Sequence, residues 1–383
     1  MAPREIATGI PHRLVVLLVL AHVAFAGGRF TLTLAAVARH ASAFEIGALL
    51  GLIMVLPMLL AVRTGRWCDR VGYVLPAAIG LAMLAASCAV AAASTSMASL
   101  YPASVLVGSG FMLTMIAVNN VIGQASDPAR LTHAFSLLTM GFSLSGVVGP
   151  LICGFVIDHF GYAPAFLVLL LFCTASMLTL AAAGKVHVVP RRESPAVSAS
   201  VRDLVTREPL RSIFIVSAVI SIGWDLFMFL APLHGVRSGL SATATSLVIG
   251  VFGVGTFAIR VVLPRITSGV SQWRALSVSL FVTALCYLAF PLATTLQFLI
   301  PAAFAMGLAL GCGQPMAMSL IFLSAPPERS GEAAGVRSTI TSFTQTVLPL
   351  VFGAIGTALG VFAVFWIGAV LMAAGGAFAS RRK

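Results

Sequence analysis

Twelve long apolar runs separated by short polar breaks make up most of this chain, and they leave few folds open to it. They fall at about residues 14–37, 45–63, 74–93, 99–123, 132–157, 163–184, 211–235, 243–264, 273–293, 295–322, 331–356 and 359–380. A hydrocarbon core roughly 30 Å thick takes about 20 apolar residues in a helix and about 9–11 in a barrel strand. Lipid offers no partner to an unpaired N–H or C=O, so runs of this length must be helices. The predicted fold class is all-α, a polytopic membrane protein of 12 transmembrane helices. Composition agrees. Only 9% of the residues are charged and 59% are hydrophobic, against about 25% and 45–50% in soluble domains. Disordered, collagen-like and disulfide-rich secreted chains each need another composition. The first run follows a short basic start (Arg4, His12, Arg13). It is too long for a signal core and further spans follow at once, so it reads as an uncleaved helix.

A polar stretch over 185–210, carrying Lys185, Arg191, Arg192, Glu193, Arg202, Asp203, Arg207 and Glu208, divides the runs six and six. The predicted organisation is an N-terminal six-helix half over 1–184, a cytoplasmic central loop over 185–210 and a C-terminal six-helix half over 211–383. The net charge of +12 then becomes an orientation signal. With the N-terminus inside, 20 of the 23 Lys and Arg residues fall in the start, the even-numbered loops and the tail Arg381-Arg382-Lys383; Arg29, Arg39 and Arg237 are the exceptions. This positive-inside pattern predicts cytoplasmic termini and a place in the inner membrane. Basic residues confined to loops give no nucleic-acid footprint. Cys68, Cys88, Cys153, Cys173, Cys286 and Cys312 are scattered without metal-ligand spacing, so they read as packing residues, and no metal or cofactor is expected.

The halves repeat. An offset of 199 aligns Arg130 with Arg329, Pro150 with Pro349 and Gly154 with Gly353, and an offset of 195 aligns Arg70 with Arg265. Loops are expected to absorb the difference. Two six-helix halves related by a parallel repeat are an architecture of secondary transporters.

Between spans two and three the chain reads Gly65-Arg66-Trp67-Cys68-Asp69-Arg70-Val71-Gly72. This resembles the GxLaDRxGRR loop signature of the major facilitator superfamily. Gly65, Asp69, Arg70 and Gly72 match; Trp67 stands at the Leu position, and Tyr73 and Val74 replace the basic pair. Asp69 near a helix N-terminus can accept backbone N–H bonds, and Arg70 can bridge helix ends. The resemblance implies a latch on the outward-open state; an ordinary charged turn is the plainer reading. The second-half copy, Arg260 to Arg265, puts Pro264 where the acid would be and is expected to latch more weakly.

Span five carries Gly141, Ser145, Gly146, Gly149, Pro150, Cys153 and Gly154, similar to the gxxxGPxxGG motif of superfamily antiporters. Small residues at four-residue spacing let helices approach closely, and Pro150 frees a carbonyl and permits a bend. The plainer reading is packing at the interface between the halves. Glu328 to Arg337 also resembles the start of span eleven in this superfamily. The resemblance covers essentially the whole chain and names no substrate.

Nearly every acid lies at a span end or loop; Asp225, beside Trp224 in span seven, does not. A rise of about 1.5 Å per residue puts it roughly 21 Å from the cytoplasmic edge, and Arg29 in span one at about 22 Å. An offset near 196 makes the two repeat mates. An isolated ion at the core costs about 2.5–3.5 kcal/mol or more, so such residues pair or face water. Three readings stand. Arg29 attracts an anionic or carbonyl-bearing substrate while Asp225 titrates a coupling proton; or the two form a salt bridge that substrate or proton breaks; or each snorkels outward. The resemblance places spans one and seven along the central cavity. Further cavity candidates are Asn119, Asn120 and Gln124 in span four, Gln314 in span ten and Gln345 in span eleven, whose amides can bind substrate or a neighbouring helix. Phe25, Phe111, Phe142, Trp224 and Phe227 can stack on an apolar ligand or simply pack, and His22 is a weaker proton candidate than Asp225. Arg337 reads as a cytoplasmic gate or headgroup contact. Span four lacks the arginine of drug-exporting relatives, which puts coupling there in doubt.

The leading expectation is a secondary active exporter of a small organic molecule, driven by proton exchange through alternating access. The alternative is an uptake symporter or facilitator for an organic anion or nutrient. A membrane enzyme would need paired His, Asp or Glu inside spans, and an ATP-driven pump a GxxxxGK[ST] loop; neither appears in the sequence. A scaffold or receptor is the remaining class. The partners expected are a small-molecule substrate, protons and the lipid bilayer, with the chain a monomer.

Overall fold

The computed structural model describes residues 12–125, 128–183, 201–267, 271–326 and 329–382. Glu5, Asp127, Glu193, Glu328 and most of the central loop lie outside the described residues, as do the side chains of Asp69, Gln124, Arg130, Pro264 and Arg265. The described chain is helical and contains no strand. Its helices are α1 (His12–Ala38), α2 (Ala43–Val71), α3 (Val74–Ala93), α4 (Met97–Ala125), α5 (Pro128–Phe160), α6 (Tyr162–Ala183), the short α7 (Val201–Thr206), α8 (Leu210–Arg237), α9 (Ala242–Thr267), α10 (Gln272–Ala289), α11 (Leu296–Ser324), α12 (Ser330–Leu359) and α13 (Val361–Ser380). Twelve of them, all but α7, are long and apolar enough to cross a membrane. Each apolar run of the sequence therefore corresponds to one helix.

Helix ends repeat at the offset of 199. Arg39 N–H bonds Ala35 O and His40 N–H bonds Val37 O at the end of α1, as Ser238 bonds His234 and Gly239 bonds Val236 at the end of α8. The pivots are His40 at φ +59° and Gly239 at φ +75°. Both are left-handed helix stops that free the chain to turn back. The next helices open on matching serine caps: Ser42 Oγ accepts from Glu45 N–H at 3.2 Å and Ser241 Oγ from Ala244 N–H at 3.1 Å. Ser42 N–H also reaches Glu45 Oε2 at 2.8 Å, completing a reciprocal capping box.

Interior contacts keep the same register. Gly108 of α4 lies so close to the Ile53 carbonyl of α2 that a Cβ would collide with it, and Gly307 of α11 meets the Phe252 carbonyl of α9 in the same way. These are the small-residue crossings expected where apolar side chains alone cannot draw helices together in lipid.

The described residues of Met1–Leu32 and Leu52–Ala196 form one compact unit, and those of Thr33–Gly51 and Val197–Lys383 another. In the first, the span-five motif packs α5 onto α1, a partner inside the unit. A Cβ on Gly149 would sit 2.7 Å from Val23 O and 2.9 Å from Gly27 N. Gly146 has nothing within 4 Å, while Pro150 and Gly154 are buried in an uninterrupted α5. In the second unit the start of α2 packs on α12. Phe44 N–H donates to Thr357 Oγ1 at 3.0 Å, and a Cβ on Gly353 would meet Ala43 O at 2.6 Å.

Candidate functional site

In the first unit α1 is packed on nearly every side. From Ala21 to Leu32, where α1 leaves this unit, only His22, Ala26 and Arg29 are partly accessible. They are spaced i, i+4 and i+7, which puts them on one face of a helix. Polar side chains on a partly accessible face of a membrane helix pair or face water rather than lipid.

Around His22 the fold assembles a cluster of rings from three helices. Phe25 of α1 stacks on Phe111 of α4 with centroids 4.5 Å apart. His22 stands 5.2 Å from Phe111 and 4.6 Å from Phe142 of α5. Phe25 and Phe111 are buried, whereas His22 and Phe142 are half-buried and form the accessible side. His22 Nδ1 lies 2.5 Å from Ser145 Oγ, and Ser145 donates to Gly141 O at 2.8 Å. A hydroxyl has one proton. With that proton on the carbonyl, Nδ1–H is the donor to Ser145 and Nε2 is the ring nitrogen left outside the pair. In sequence the four rings stand apart and His22 ranks below Asp225; their convergence follows from packing between α1, α4 and α5.

The amide candidates also fall on accessible stripes. Along the inner part of α4 the partly accessible residues are Met115, Ile116, Asn119 and Asn120; on α11 they are Gln314, Pro315, Met318 and Ser319. These two sets are repeat mates at the offset of 199. Asn119 Oδ1 makes no hydrogen bond among the described residues.

In the second unit Asp225 is only 3% exposed, so it faces neither lipid nor open solvent. Its helix α8 meets α12 along a polar seam at steps of four residues. Arg337 Nε donates to Ser217 Oγ at 2.8 Å, and Ser221 Oγ lies 3.5 Å from Thr341 Oγ1. The same step brings Asp225 and Gln345 to the next level of the two helices. Arg337 therefore has an anchoring partner on α8 that its reading as a gate or headgroup contact did not include. Trp224 is half-buried with its ring 4.8 Å from Phe252. Phe227 is fully buried between Phe252 and Phe290, a core position and not a ligand surface. Arg29 and Asp225 are not repeat mates: the register of 199 pairs Arg29 with Met228 and Asp225 with Ala26.

The latch residues lie at the end of α2. Gly65 and Asp69 are helical, Arg70 is exposed, and Gly72 at φ +80° ends the helix with its N–H on Cys68 O at 2.9 Å. Asp69 thus belongs to the last turn of α2 and not to a helix N-terminus. Among the described residues no group of three or more His, Cys, Asp or Glu side chains is placed to hold a metal.

A family model described as the Major Facilitator Superfamily matches residues 14–297 and 272–382. The chain belongs to the major facilitator superfamily. Solved structures of similar fold include a bacterial homologue of the human lysosomal transporter Spinster in an inward-facing and occupied conformation. It has a TM-score of 0.77 and 16% identity, covering 98% of this chain and 97% of that one. The nucleoside transporter NupG gives a TM-score of 0.80 at 14% identity, covering 98% and 100%. A peptide transporter, POT, gives 0.77 at 14%, covering 96% and 93%. At such identities the likeness is one of fold. No curated protein sequence matches the chain. Membership of the superfamily makes this a multi-pass membrane transporter rather than an enzyme.

Proposed function

We propose that this superfamily member exports a small organic molecule across the inner membrane in exchange for protons, by alternating access, with both termini cytoplasmic. The observation that supports a substrate path most directly is the stripe His22–Ala26–Arg29, the one partly accessible face in the middle of α1. The amide stripes on α4 and α11 extend the same logic: Asn119, Asn120 and Gln314 lie on the partly accessible faces of their helices. Asp225 is the proton-coupling residue in this reading. Its carboxylate is 3% exposed at mid-span, where a proton reaches it only through a conformational opening. Export is supported by the resemblance of span five to the antiporter motif.

A second reading, uptake of an organic anion, is supported by Arg29 on the open stripe and by the lack of an arginine in span four. The two separate in proteoliposomes of known orientation loaded with a panel of labelled organic acids, nucleosides, dipeptides and dyes. Export predicts that a proton gradient directed into the cytoplasmic side drives substrate out of it. Accumulation on the cytoplasmic side under that gradient supports uptake and contradicts export.

A further inference from the structure

We propose that the first unit recognises a planar aromatic acid, with its ring on the His22–Phe142 surface and its carboxylate against Arg29. This deepens the proposed function by naming the substrate class, and it rests on the reading that the α1 stripe faces the substrate path.

The ring cluster has a sealed base and an open top. Phe25 and Phe111 are buried and stacked, and His22 and Phe142 above them are half-buried with centroids 4.6 Å apart. The rings are too close for a ligand to enter between them, so a ligand ring stacks on the exposed side. The base holds the floor rigid, and the bond to Ser145 pins the imidazole. Rigid aromatic surfaces bind π-faces with little loss of side-chain entropy. Arg29 lies seven residues beyond His22 on the same face, about 10 Å along the axis. Between them stands the partly accessible Ala26, so a molecule lying along this face places a ring at one end and an anion at the other. The guanidinium fork matches a carboxylate in a two-bond geometry that an ammonium cannot reproduce. The charged residue of the stripe is an arginine and none of its members is an acid, so its field favours anions over cations.

The test is equilibrium binding of 2-naphthoate to the purified full-length protein in detergent. Cyclohexanecarboxylate serves as an acid without an aromatic ring and 2-naphthalenemethanol as a ring without a charge. The expected result is affinity for naphthoate about tenfold or more above either comparator. Phe142→Leu should remove the preference over the saturated acid, and Arg29→Gln the preference over the alcohol. Phe142→Tyr keeps a ring face and should retain the first preference. Thermal unfolding of each variant separates lost binding from lost fold. Equal binding of both acids by the wild type, no naphthoate binding by folded wild type, or loss of preference in a stable Phe142→Tyr would overturn the proposal. Binding needs no gradient and no turnover. Failure of proton coupling or of export therefore leaves this test standing, and its failure leaves the flux assays to be judged on their own substrates.

Discussion

Arg29 follows His22 by seven residues on α1, and with Ala26 between them the two form the only partly accessible stripe from Ala21 to Leu32. The packing that surrounds this stripe explains its narrowness. Gly28 sits against the side chains of Val107 and Leu169, Gly27 against Leu169 and Cys153, and Gly149 presses on the Val23 and Gly27 backbone, so α4, α5 and α6 all close on α1 at its glycines. What remains open carries one imidazole and one guanidinium. The site's chemistry is therefore concentrated rather than spread along the helix.

The tightest crossings should be the least tolerant. Gly108→Ala and Gly307→Ala each drive a Cβ into a neighbouring carbonyl, and each should destabilise its half by about 1–3 kcal/mol. Gly146→Ala, with nothing within 4 Å, should be neutral or stabilising by up to about 1 kcal/mol because alanine is the better helix former. Thermal unfolding in detergent measures all three. Equal effects at Gly108 and Gly146 would contradict the close-contact account.

The seam between α8 and α12 should depend unequally on its two serines. Ser217 accepts a 2.8 Å bond from a charged donor, Arg337, and hydrogen bonds to charged groups contribute about 1.5–3 kcal/mol. Ser217→Ala should cost an amount in that range. Ser221 meets Thr341 only at 3.5 Å, a distance at which little remains of a hydrogen bond, so Ser221→Ala should cost clearly less. Comparative unfolding of the two variants checks the ranking.

Glu208 ties the start of α8 to the chain end. Its carboxylate accepts from Ser212 Oγ at 2.7 Å and pairs with Arg211 at 2.9 Å and Arg382 at 3.7 Å. The Ser212 bond, then the two arginines, hold its pKa below the ordinary 4.5. A depressed acid stabilises the fold above its unfolded pKa and loses that contribution as pH falls through its folded pKa. Wild type should therefore exceed Glu208→Gln in melting temperature at pH 7, with the small gap of an exposed pair closing below about pH 4.5. A gap that widens on acidification would contradict the assignment.

Much of this was legible before any coordinates. The length and spacing of the apolar runs give the helices, because lipid permits no other structure at those lengths. The alignment of Pro150 with Pro349 and of Gly154 with Gly353 gives the register that Gly108–Ile53 and Gly307–Phe252 reproduce in space. Other features depend on which neighbour a helix face meets, and periodicity does not encode that. Phe227 and Trp224 look alike in sequence, yet one is sealed and the other half-open. Phe25, Phe111, Phe142 and His22 come from three helices and meet only through packing. The grouping of Thr33–Gly51 with the second unit rests on contacts of Gly47 and Gly353 with backbone more than 300 residues away. One signal for His22 was present all the same: its seven-residue spacing from Arg29 puts both on one helix face.

Gradient-driven flux in proteoliposomes, measured with a substrate found by the panel, is the decisive test of proton-coupled export. Wild type, Asp225→Asn and Arg29→Gln are compared with and without an imposed pH difference. The gradient should accelerate wild-type flux several-fold. Asp225→Asn should keep substrate exchange but lose the response to the gradient, and Arg29→Gln should lose exchange itself. Wild-type flux indifferent to the gradient, together with an Asp225→Asn variant that transports normally, would contradict proton-coupled export.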